Sequence, residues 1–379
     1  MAEWIECKIS DIGTVVGGAT PSTKKPENYE NGTIAWITPK DLSTFSRRYI
    51  QHGERKITEA GLRSCSTQLL PKNTVLFSSR APIGYVAIAA NDVCTNQGFK
   101  SVIPNENTNP LFLYYLLKYN KDKIEGMGSG TTFKEVSGNT MKNIVVSVPK
   151  DMETQKQIIA VLGSIDDKIE LNNEINNNLE QQAMAIFKSW FIDYEPYNRT
   201  VPNNWVEYKL SDFLPVITGK KNANVSSSIG TYPFFSCSQD ITWTKEYSFE
   251  GNAILVAGNG DFNVKFYNGK FEAYQRTYVL IPHNPRFSAW LFYAVKYNLN
   301  KITAAARGSV IKFITKGNLE DFSFYAPLNL DDFNVIDQFT AINNIIASNR
   351  EENACLSALR DTLLPKLMSG ELDVSNINL

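Results

Sequence analysis

The sequence predicts an α+β fold in which two mostly-β domains are joined by two long helices that pair as an antiparallel coiled coil. Three observations predict this tandem repeat with a pseudo-two-fold axis. One segment occurs twice, each copy opens with short β-type runs, and each copy closes with heptad-spaced apolar residues. The expected boundaries are 1–150 and 196–329 for the two β domains, and 151–195 and 330–379 for the two helices.

The repeat is clearest where each copy begins. Segment 4–11 reads Trp-Ile-Glu-Cys-Lys-Ile-Ser-Asp, and segment 205–212 reads Trp-Val-Glu-Tyr-Lys-Leu-Ser-Asp. Further along the chain, Gln97 is matched by Gln275, and Lys134 is matched by Lys312. A period of roughly 180 to 200 residues predicts one structural unit used twice.

Within each copy, the first part is rich in short β-type runs. Residues 74–77 (Thr-Val-Leu-Phe) and 253–256 (Ala-Ile-Leu-Val) are examples, and Gly, Pro and Asn separate such runs in both copies. This pattern predicts two compact, mostly-β domains. Near 110–124 and 286–303, Leu, Phe and Tyr recur at helical spacing, so each domain should also contain a helix that packs into its core.

The two closing segments predict helices that pair with each other. Two asparagines interrupt the apolar seam of each helix, and a polar seam residue lowers stability while fixing the register. The seam positions are Ile158, Leu162, Ile165, Ile169, Asn172, Asn176 and Leu179 in the first helix, and Ile342, Ile346, Asn349, Asn353, Leu356 and Leu363 in the second. The alternative is that each amphipathic helix packs only on its own domain.

Connectivity predicts the direction of the pair. The second β domain follows the end of the first helix and precedes the start of the second helix. Paired helices would therefore run antiparallel. About 40 residues at ~1.5 Å each would make a spacer on the order of 60 Å, with one β domain at either end.

Charge is distributed unevenly, although the net charge is only -1. Segment 151–195 holds 3 basic and 9 acidic residues, and segment 330–379 holds 3 basic and 8 acidic residues. This leaves 32 basic and 22 acidic residues in the rest of the chain, which consists of the two β domains 1–150 and 196–329. Such a distribution is expected if the β domains face the phosphates of a nucleic acid.

Composition excludes several other classes of protein. The sequence has no run of 18 apolar residues and no basic and apolar leader at its start, so we expect no membrane association and a cytoplasmic location. The 5 cysteines form no C-x-x-C pair, which favours reduced thiols, and only 2 histidines are present. We therefore expect no metal site.

A search for catalytic motifs indicates that the chain is not an enzyme. There is no G-x-x-x-x-G-K-[ST] phosphate loop, and no N-P-P-[FY] or D-P-P-Y tetrapeptide of the kind that amino-methyltransferases use. Glu6-x-Lys8 and Glu207-x-Lys209 resemble a nuclease pair, but Glu6 leaves no room for the upstream aspartate that such a metal site needs. Residues 258–260 (Gly-Asn-Gly) are too short for a dinucleotide loop and predict a turn.

Four segments resemble the specificity subunits of type I restriction-modification enzymes. Residues 363–372 (LLPKLMSGEL) are similar to the end of that family's C-terminal conserved helix, and residues 201–205 (VPNNW) are similar to the usual entry to its second recognition domain. Residues 78–84 (SSRAPIG) and 95–99 (TNQGF) also resemble the family. The resemblance covers nearly the whole chain.

This resemblance implies two target-recognition domains, each of which reads one half of a split site in double-stranded DNA. It implies helices that set the gap between the halves and dock two methyltransferase subunits, together with recruited restriction subunits. S-adenosylmethionine, ATP and Mg²⁺ would then bind only to those partners, and this chain would hold no cofactor.

Base reading requires Arg or Lys for guanine, Asn or Gln for adenine, and Ser or Thr for adaptable contacts. Loops of the two β domains offer such side chains, although a solvated loop residue is the alternative for each one. The matched positions of Gln97 and Gln275, and of Lys134 and Lys312, favour a shared role, either in recognition or in structure. The candidates are Lys24, Lys25, Ser78, Ser79, Arg80, Asn96, Gln97, Thr131, Thr132 and Lys134 in the first domain, and Lys220, Lys221, Asn259, Gln275, Arg276, Arg307, Ser309 and Lys312 in the second.

Two other functions fit parts of the pattern. A stand-alone bipartite DNA-binding regulator would keep the repeat and the helices but would need no partner subunits. A catalytic nuclease would need metal ligands that the sequence does not offer in a recognisable pattern.

Overall fold

The computed structural model describes residues 3–130, 134–304, 306–308 and 312–374. These residues form two compact units, Met1–Asn172 with Glu351–Leu379, and Asn173–Arg350. We refer to them as unit 1 and unit 2. The sequence predicted four segments, 1–150, 151–195, 196–329 and 330–379. That division into domains stays a prediction.

Both repeats are built from short strands and helices followed by one long helix. The first repeat contains strands β1 (Trp4–Lys8), β2 (Gly13–Gly17), β3 (Ile34–Ile37), β4 (Tyr49–Ile50), β5 (Arg55–Ile57), β6 (Val75–Ser79), β7 (Ile83–Ala89), β8 (Cys94–Thr95), β9 (Lys100–Pro104) and β10 (Val145–Pro149). Its helices are α1 (Ile9–Ile12), α2 (Pro39–Ser43), α3 (Glu59–Arg63), α4 (Pro110–Tyr119), α5 (Lys121–Gly126), α6 (Gly138–Asn143) and α7 (Met152–Phe191).

The second repeat follows the same plan. Its strands are β11 (Trp205–Lys209), β12 (Val216–Thr218), β13 (Tyr232–Phe235), β14 (Thr242–Thr244), β15 (Phe249–Ala257), β16 (Val264–Ala273), β17 (Thr277–Leu280) and β18 (Ser323–Pro327). Its helices are α8 (Ser288–Tyr297), α9 (Leu299–Thr303), α10 (Lys316–Glu320) and α11 (Val335–Met368).

The first four strands of the largest sheet pair in the same order in both repeats, and the two sheets differ after the fourth strand. One sheet has the order β2-β9-β6-β7-β4, and the other has the order β12-β17-β15-β16-β13-β14. The repeated opening segment forms β1 and β11, which pair antiparallel with β10 and β18, so that Trp4 lies opposite Pro149 and Trp205 lies opposite Pro327. The sequence repeat is therefore a repeat of structure.

The helices expected inside the β domains are present, and each is divided into two. Near 110–124 the chain forms α4 and α5, and near 286–303 it forms α8 and α9. Tyr115 and Leu116 of α4 are fully buried, as are Trp290 and Tyr293 of α8. The predicted packing of these helices into the domain cores is therefore confirmed.

The two long helices pair antiparallel within each unit. In unit 1, Asn172 donates from Nδ2 to Asn353 Oδ1 at 2.9 Å, and Arg360 donates from Nη1 to Asp166 Oδ1 at 2.8 Å. Residue numbers thus rise along α7 as they fall along α11. In unit 2, Asn349 donates from Nδ2 to Asn176 Oδ1 at 2.8 Å.

The asparagines that interrupt the two predicted seams are hydrogen-bonded to one another. These bonds contradict the alternative that each helix packs only on its own domain. Six of the predicted seam residues are buried, and the other seven are half-buried. The buried ones are Ile158, Leu162, Ile165, Asn172, Asn176 and Ile346, and the half-buried ones are Ile169, Leu179, Ile342, Asn349, Asn353, Leu356 and Leu363.

Buried polar contacts fasten the β-rich part of each unit to its long helices. In unit 1, Tyr115 donates to Asp166 Oδ2 at 2.6 Å, and burial together with the Asp166 carboxylate raises the pKa of this tyrosine. In unit 2, the equivalent Tyr293 donates to Asn343 Oδ1 at 2.9 Å. A tyrosine hydroxyl that stays protonated remains a hydrogen-bond donor. The equivalent tyrosine thus binds the long helix of its own repeat in both cases, α7 in the first and α11 in the second.

Across the described ranges 3–130, 134–304, 306–308 and 312–374, none of the helices has both the length and the apolar character needed to span a membrane.

Candidate nucleic-acid interface

Four segments meet at one place in the first repeat: 18–25, 79–80, 95–98, and 129–130 with 134–135. We call this place the first junction. Backbone hydrogen bonds hold it together, since Ala19 N donates to Thr95 O at 3.0 Å and Ser79 N donates to Gly98 O at 2.7 Å. An antiparallel β-bridge joins Arg80 to Glu135. Hydrogen bonds of this kind restrict the movement of the loops, so the side chains on them are held in defined positions.

The second repeat builds an equivalent junction from segments 219–225, 258–259, 273–276, and 307–308 with 312–313, which we call the second junction. Gly258 N donates to Arg276 O at 2.8 Å, as Ser79 N does to Gly98 O in the first junction. The bridge from Arg80 to Glu135 has its counterpart in a bridge from Asn259 to Phe313. Residues 131–133 and 309–311 lie outside the residues that the structure describes.

A glycine allows the closest approach of chain segments in each junction. A Cβ added to Gly18 would meet Asn96 O at 2.2 Å, and a Cβ added to Gly219 would meet Tyr274 O at 2.2 Å. Contacts this short are sterically forbidden, so only glycine fits at either position. The two glycines explain why the loops after β2 and β12 can lie against the turns that precede β9 and β17.

Most of the predicted DNA-binding residues lie at these junctions with exposed or half-buried side chains. The exposed ones are Lys24, Lys25, Gln97, Lys134, Lys220, Gln275, Arg276, Arg307 and Lys312, and the half-buried ones are Arg80, Asn96, Lys221 and Asn259. Thr131, Thr132 and Ser309 lie outside the described residues. The junctions thus bring together side chains that are far apart in the sequence.

Ser78 and Ser79 differ from the other candidates because both side chains are fully buried. The Ser78 hydroxyl donates to Pro82 O at 2.8 Å and accepts from Tyr85 N at 2.8 Å. The Ser79 hydroxyl donates to Gly98 O at 3.1 Å. These bonds give the two hydroxyls a role in shaping the first junction, and the burial leaves them little access to DNA.

Several candidates are already oriented by neighbouring side chains. Gln97 accepts a hydrogen bond from Thr20 Oγ1, and Lys221 Nζ lies 3.4 Å from Glu246 Oε2. The Lys220 ammonium lies 5.4 Å from the ring centre of Phe249. Such contacts restrict the rotamers of long side chains and reduce the entropy that is lost when DNA binds.

The electrostatics of the two junctions differ. In the first junction, Glu135 pairs with Lys100 at 3.2 Å and with Arg80 at 3.8 Å. In the second, Tyr278 stands at the place of Lys100, and Phe313 stands at the place of Glu135. Burial raises the pKa of Tyr278, whose hydroxyl donates to Ile314 O at 3.0 Å.

An open cleft of about 330 Å³ lies at the second junction. Gln275, Arg276 and Lys316 line it together with Phe313. Sequence reasoning had not selected Lys100, Glu135, Phe313 or Lys316. The sequence does contain a signal that could have identified Glu135 and Phe313. They follow the matched residues Lys134 and Lys312, and they differ in chemistry between the repeats.

Comparison with known proteins identifies the family. The family model described as "Type I restriction modification DNA specificity domain" matches residues 1–181 and 202–354. The chain belongs to this family. It is therefore a DNA sequence-specificity subunit of a type I restriction-modification system, which confirms the family and the function predicted from the sequence.

Individual relatives in the type I specificity family agree with this assignment. The type I restriction enzyme MjaIX specificity subunit of Methanocaldococcus jannaschii is 32% identical over 99% of this chain and 95% of its own length. The EcoDI specificity subunit of Escherichia coli is 33% identical over 45% of this chain and 39% of its own length. The crystal structure of the S subunit from M. genitalium, with a TM-score of 0.59 and 16% identity, covers 97% of this chain and 96% of that one, and it supports the fold.

Proposed function

We propose that this specificity subunit reads a split site in double-stranded DNA, with one half-site contacted by each junction. The observation that carries this proposal is the junction itself, which the chain builds twice from four equivalent segments that share several backbone contacts. Each junction combines exposed amide and basic side chains, which are the groups that reach base edges and phosphates. Two equivalent junctions are suited to a DNA target that consists of two half-sites.

The exposed candidates divide by chemistry into two groups. Gln97 and Gln275 lie at the turns before β9 and β17, and a Gln amide can make a bidentate contact to adenine. Lys24, Lys25 and Lys134 are exposed in or beside the first junction and suit phosphate oxygens. Phosphate contacts set the register on the duplex, and the amides then carry sequence information.

The proposal extends to partners that supply the chemistry. The chain would direct two methyltransferase subunits and the restriction subunits to its site, and it would contain no catalytic centre. S-adenosylmethionine, ATP and Mg²⁺ would bind to those partners and not to this chain. The absence of a phosphate loop and of a methyltransferase tetrapeptide from the sequence supports this division of labour. The complex would act on DNA in the cytoplasm.

Domain exchange tests the split-site proposal. Residues 201–327 would be replaced by the corresponding segment of a relative with a different target, and the methylated motif would be read by long-read sequencing of a host that carries the complete system. We expect one half of the motif to change and the other half to stay as it was. A motif that changed in both halves would contradict the proposal that each junction reads its own half.

A binding titration tests the need for partners. The excess of basic residues is spread over two domains and is opposed by acidic helices, so the chain alone should bind DNA weakly at ~0.15 M salt. Adding the methyltransferase subunits should produce tight and specific binding. Tight, specific binding by the isolated chain would instead favour a stand-alone regulator.

A further inference from the structure

Each junction contains one pair of residues that an antiparallel β-bridge places side by side. The pair is Arg80 and Glu135 in the first junction, and Asn259 and Phe313 in the second. The neighbouring backbone contacts show that these positions are equivalent, because Val136 N donates to Ser79 O at 2.9 Å and Ile314 N donates to Gly258 O at 2.9 Å. The two pairs therefore occupy the same place in the two repeats, and they carry different chemistry.

In the first junction the pair is charged. Arg80 Nη1 lies 3.8 Å from Glu135 Oε2, and the side chains are 34% and 39% exposed. Lys100, whose side chain is 15% exposed, holds the other oxygen of Glu135 at 3.2 Å. A carboxylate repels DNA phosphates, so its presence beside Arg80 favours a contact with base edges. The ion pair with Lys100 also holds the Glu135 carboxylate in place, and this carboxylate in turn orients Arg80.

In the second junction the pair consists of an amide and an aromatic ring. Asn259 is half-buried, and Phe313 is 38% exposed beside the open cleft. Neither side chain can form a strong contact with a phosphate in the way that a lysine does. The exposed ring provides an apolar surface, and the amide provides an NH2 donor group beside a carbonyl acceptor.

We propose that the pair Arg80–Glu135 reads a G·C base pair in one half-site and that the pair Asn259–Phe313 reads an A·T base pair in the other. In the major groove, arginine makes a bidentate contact to guanine O6 and N7, and a carboxylate accepts from cytosine N4. Asparagine makes a bidentate contact to adenine N6 and N7, and an apolar side chain contacts the thymine methyl group. Each pair thus matches both bases of one base pair. This inference rests on the proposed function, since it assumes that the two junctions read separate half-sites.

The geometry of the bridge suits this role. Residues opposite each other across an antiparallel bridge have Cβ atoms ~5 Å apart, so their side chains leave the backbone together. The two bases of a pair present their major-groove edges next to each other, so adjacent side chains can contact both. The bridge also sets the spacing between the two side chains before DNA arrives, which limits the ordering cost of binding.

The first test separates guanine reading from phosphate contact. Arg80→Lys keeps the charge but loses the planar fork that guanine requires. In the complex with the methyltransferase subunits, we expect the variant to bind the cognate site about 5- to 150-fold more weakly than the unmodified subunit. Binding to non-cognate DNA should be unchanged. Arg63→Lys, at a side chain that is 82% exposed on α3, is the matched control and should leave both affinities unchanged.

A DNA-side substitution shows which base is read. Replacing guanine by 7-deazaguanine removes N7, so it should weaken binding by the unmodified subunit at one guanine of one half-site. The same replacement should have no further effect on the Arg80→Lys variant. A merely structural role of Arg80 would lower affinity at every position and would leave the sensitivity to 7-deazaguanine intact, which would overturn the inference.

An exchange of the two pairs tests the second half of the inference. Arg80→Asn with Glu135→Phe should convert one G·C pair of the methylated motif to A·T, and Asn259→Arg with Phe313→Glu should convert one A·T pair of the other half to G·C. Thermal unfolding shows whether each variant is folded. If the variant Arg80→Asn with Glu135→Phe does not fold, Arg80→Lys tests whether the first pair reads guanine. For the second pair, Asn259→Ala should weaken binding only at one adenine.

The outcomes distinguish this inference from the proposal on which it depends. If the unmodified complex methylates a motif that is not split, the proposed function fails. If the motif is split but Arg80→Lys and both exchanges leave every base preference unchanged, the function stands and the base assignment is wrong. If Arg80→Lys changes a preference in the half-site altered by exchange of residues 201–327, or if the Asn259 and Phe313 exchange changes a preference in the other half-site, the assignment is also wrong.

Discussion

The side chain of Asn172 donates a hydrogen bond of 2.9 Å to Asn353 on the antiparallel helix of the same unit, and a second one of 2.7 Å to Glu352. Asn172 is only 1% exposed, so this polar contact lies inside the helix seam. The pair Asn176 and Asn349 repeats the arrangement in unit 2. A buried amide that finds its partner in one register, and loses it in others, makes that register the preferred one.

Asn172→Leu should destabilise the protein by about 1–3 kcal/mol, because the variant removes the two hydrogen bonds that Asn172 donates to Asn353 and Glu352. The double variant Asn172→Leu with Asn353→Leu should recover most of this loss, since two apolar side chains suit the seam. Urea unfolding of the unmodified, single and double variants measures the coupling. Equal losses in the single and double variants would show that the contact does not contribute to stability.

Gly18→Ala should disrupt the first junction because the new Cβ would lie 2.2 Å from Asn96 O and 2.3 Å from Thr95 O. We expect a loss of about 1–3 kcal/mol in stability, as for other overpacked sites, together with weaker recognition of one half-site. Gly126→Ala is the control, because nothing lies within 4 Å of its added Cβ. Binding to DNA with one half-site scrambled shows whether the defect is confined to one half.

The sequence was sufficient to predict features with a repeating pattern. Heptad spacing and paired asparagines predicted that α7 and α11 pair, because the pattern of a helix seam is local in the sequence. The matched positions of Gln97 and Gln275 likewise predicted an equivalence that the strand order bears out.

Features that depend on tertiary contacts were not predictable. Ser78 and Ser79 point to opposite faces of β6 and are both buried because this strand is covered on both faces, which a short run of small residues does not show. Glu135 meets Arg80 and Lys100 only because distant segments converge, so their ion pairs leave no local signal in the sequence.

Asp151 precedes α7 and accepts from Thr154 N at 2.7 Å and from Thr154 Oγ1 at 2.9 Å. The backbone hydrogen bond from Thr154 lowers the pKa of this carboxyl below its ordinary value of 3.8. Because the folded pKa is lowered, the stability that it contributes is present above the ordinary pKa and is lost as pH falls through the folded pKa.

Asp151→Ala should therefore cost about 1 kcal/mol at pH 7. That cost should shrink as the pH falls below the ordinary pKa. Asp151→Asn, which keeps the accepting oxygen without the charge, should retain most of the cap and should remove this contribution to the pH dependence. Thermal unfolding of the three proteins between about pH 3 and pH 7 gives the comparison. An alanine variant whose deficit stayed constant over that interval would argue against a role for the charge.

Arg48 connects the first β domain to α7. Its guanidinium pairs with Glu170 at 3.0 Å and with Asp167, and its side chain is 6% exposed. Burial lowers its pKa, but the hydrogen bonds to Glu170 and Asp167 outweigh burial and raise it, so the group stays charged. Arg48→Met would leave Glu170 without its partner near the helix surface.

We expect Arg48→Met to reduce the free energy of unfolding by about 2–4 kcal/mol, a little below the usual cost of breaking a buried pair. We expect a smaller loss of stability than for a fully buried pair because Asp167 is 71% exposed and can be hydrated. Arg63→Met, at a side chain that is 82% exposed, should change stability by less than about 0.5 kcal/mol. Guanidinium unfolding measures both, and similar effects at the two positions would contradict the role given to Arg48.

Lengthening both long helices tests whether they set the gap between half-sites. Four residues would be inserted in α7 between Asn172 and Asn176, and four in α11 between Asn349 and Asn353. Each insertion adds ~6 Å of length and ~40° of rotation to its helix. One base pair of DNA advances ~3.4 Å and rotates by about 34°, so the added length matches one or two base pairs.

We expect the lengthened subunit to specify the same bases in each half-site, with a non-specific gap that is longer by one or two pairs. An insertion in one helix alone is the control. It should abolish methylation, because a four-residue stutter moves one set of seam residues out of register with its partner. Sequencing of methylated bases in a host with the complete system reads both the half-sites and the gap. An unchanged gap with altered half-site bases would show that the helices do not set the spacing.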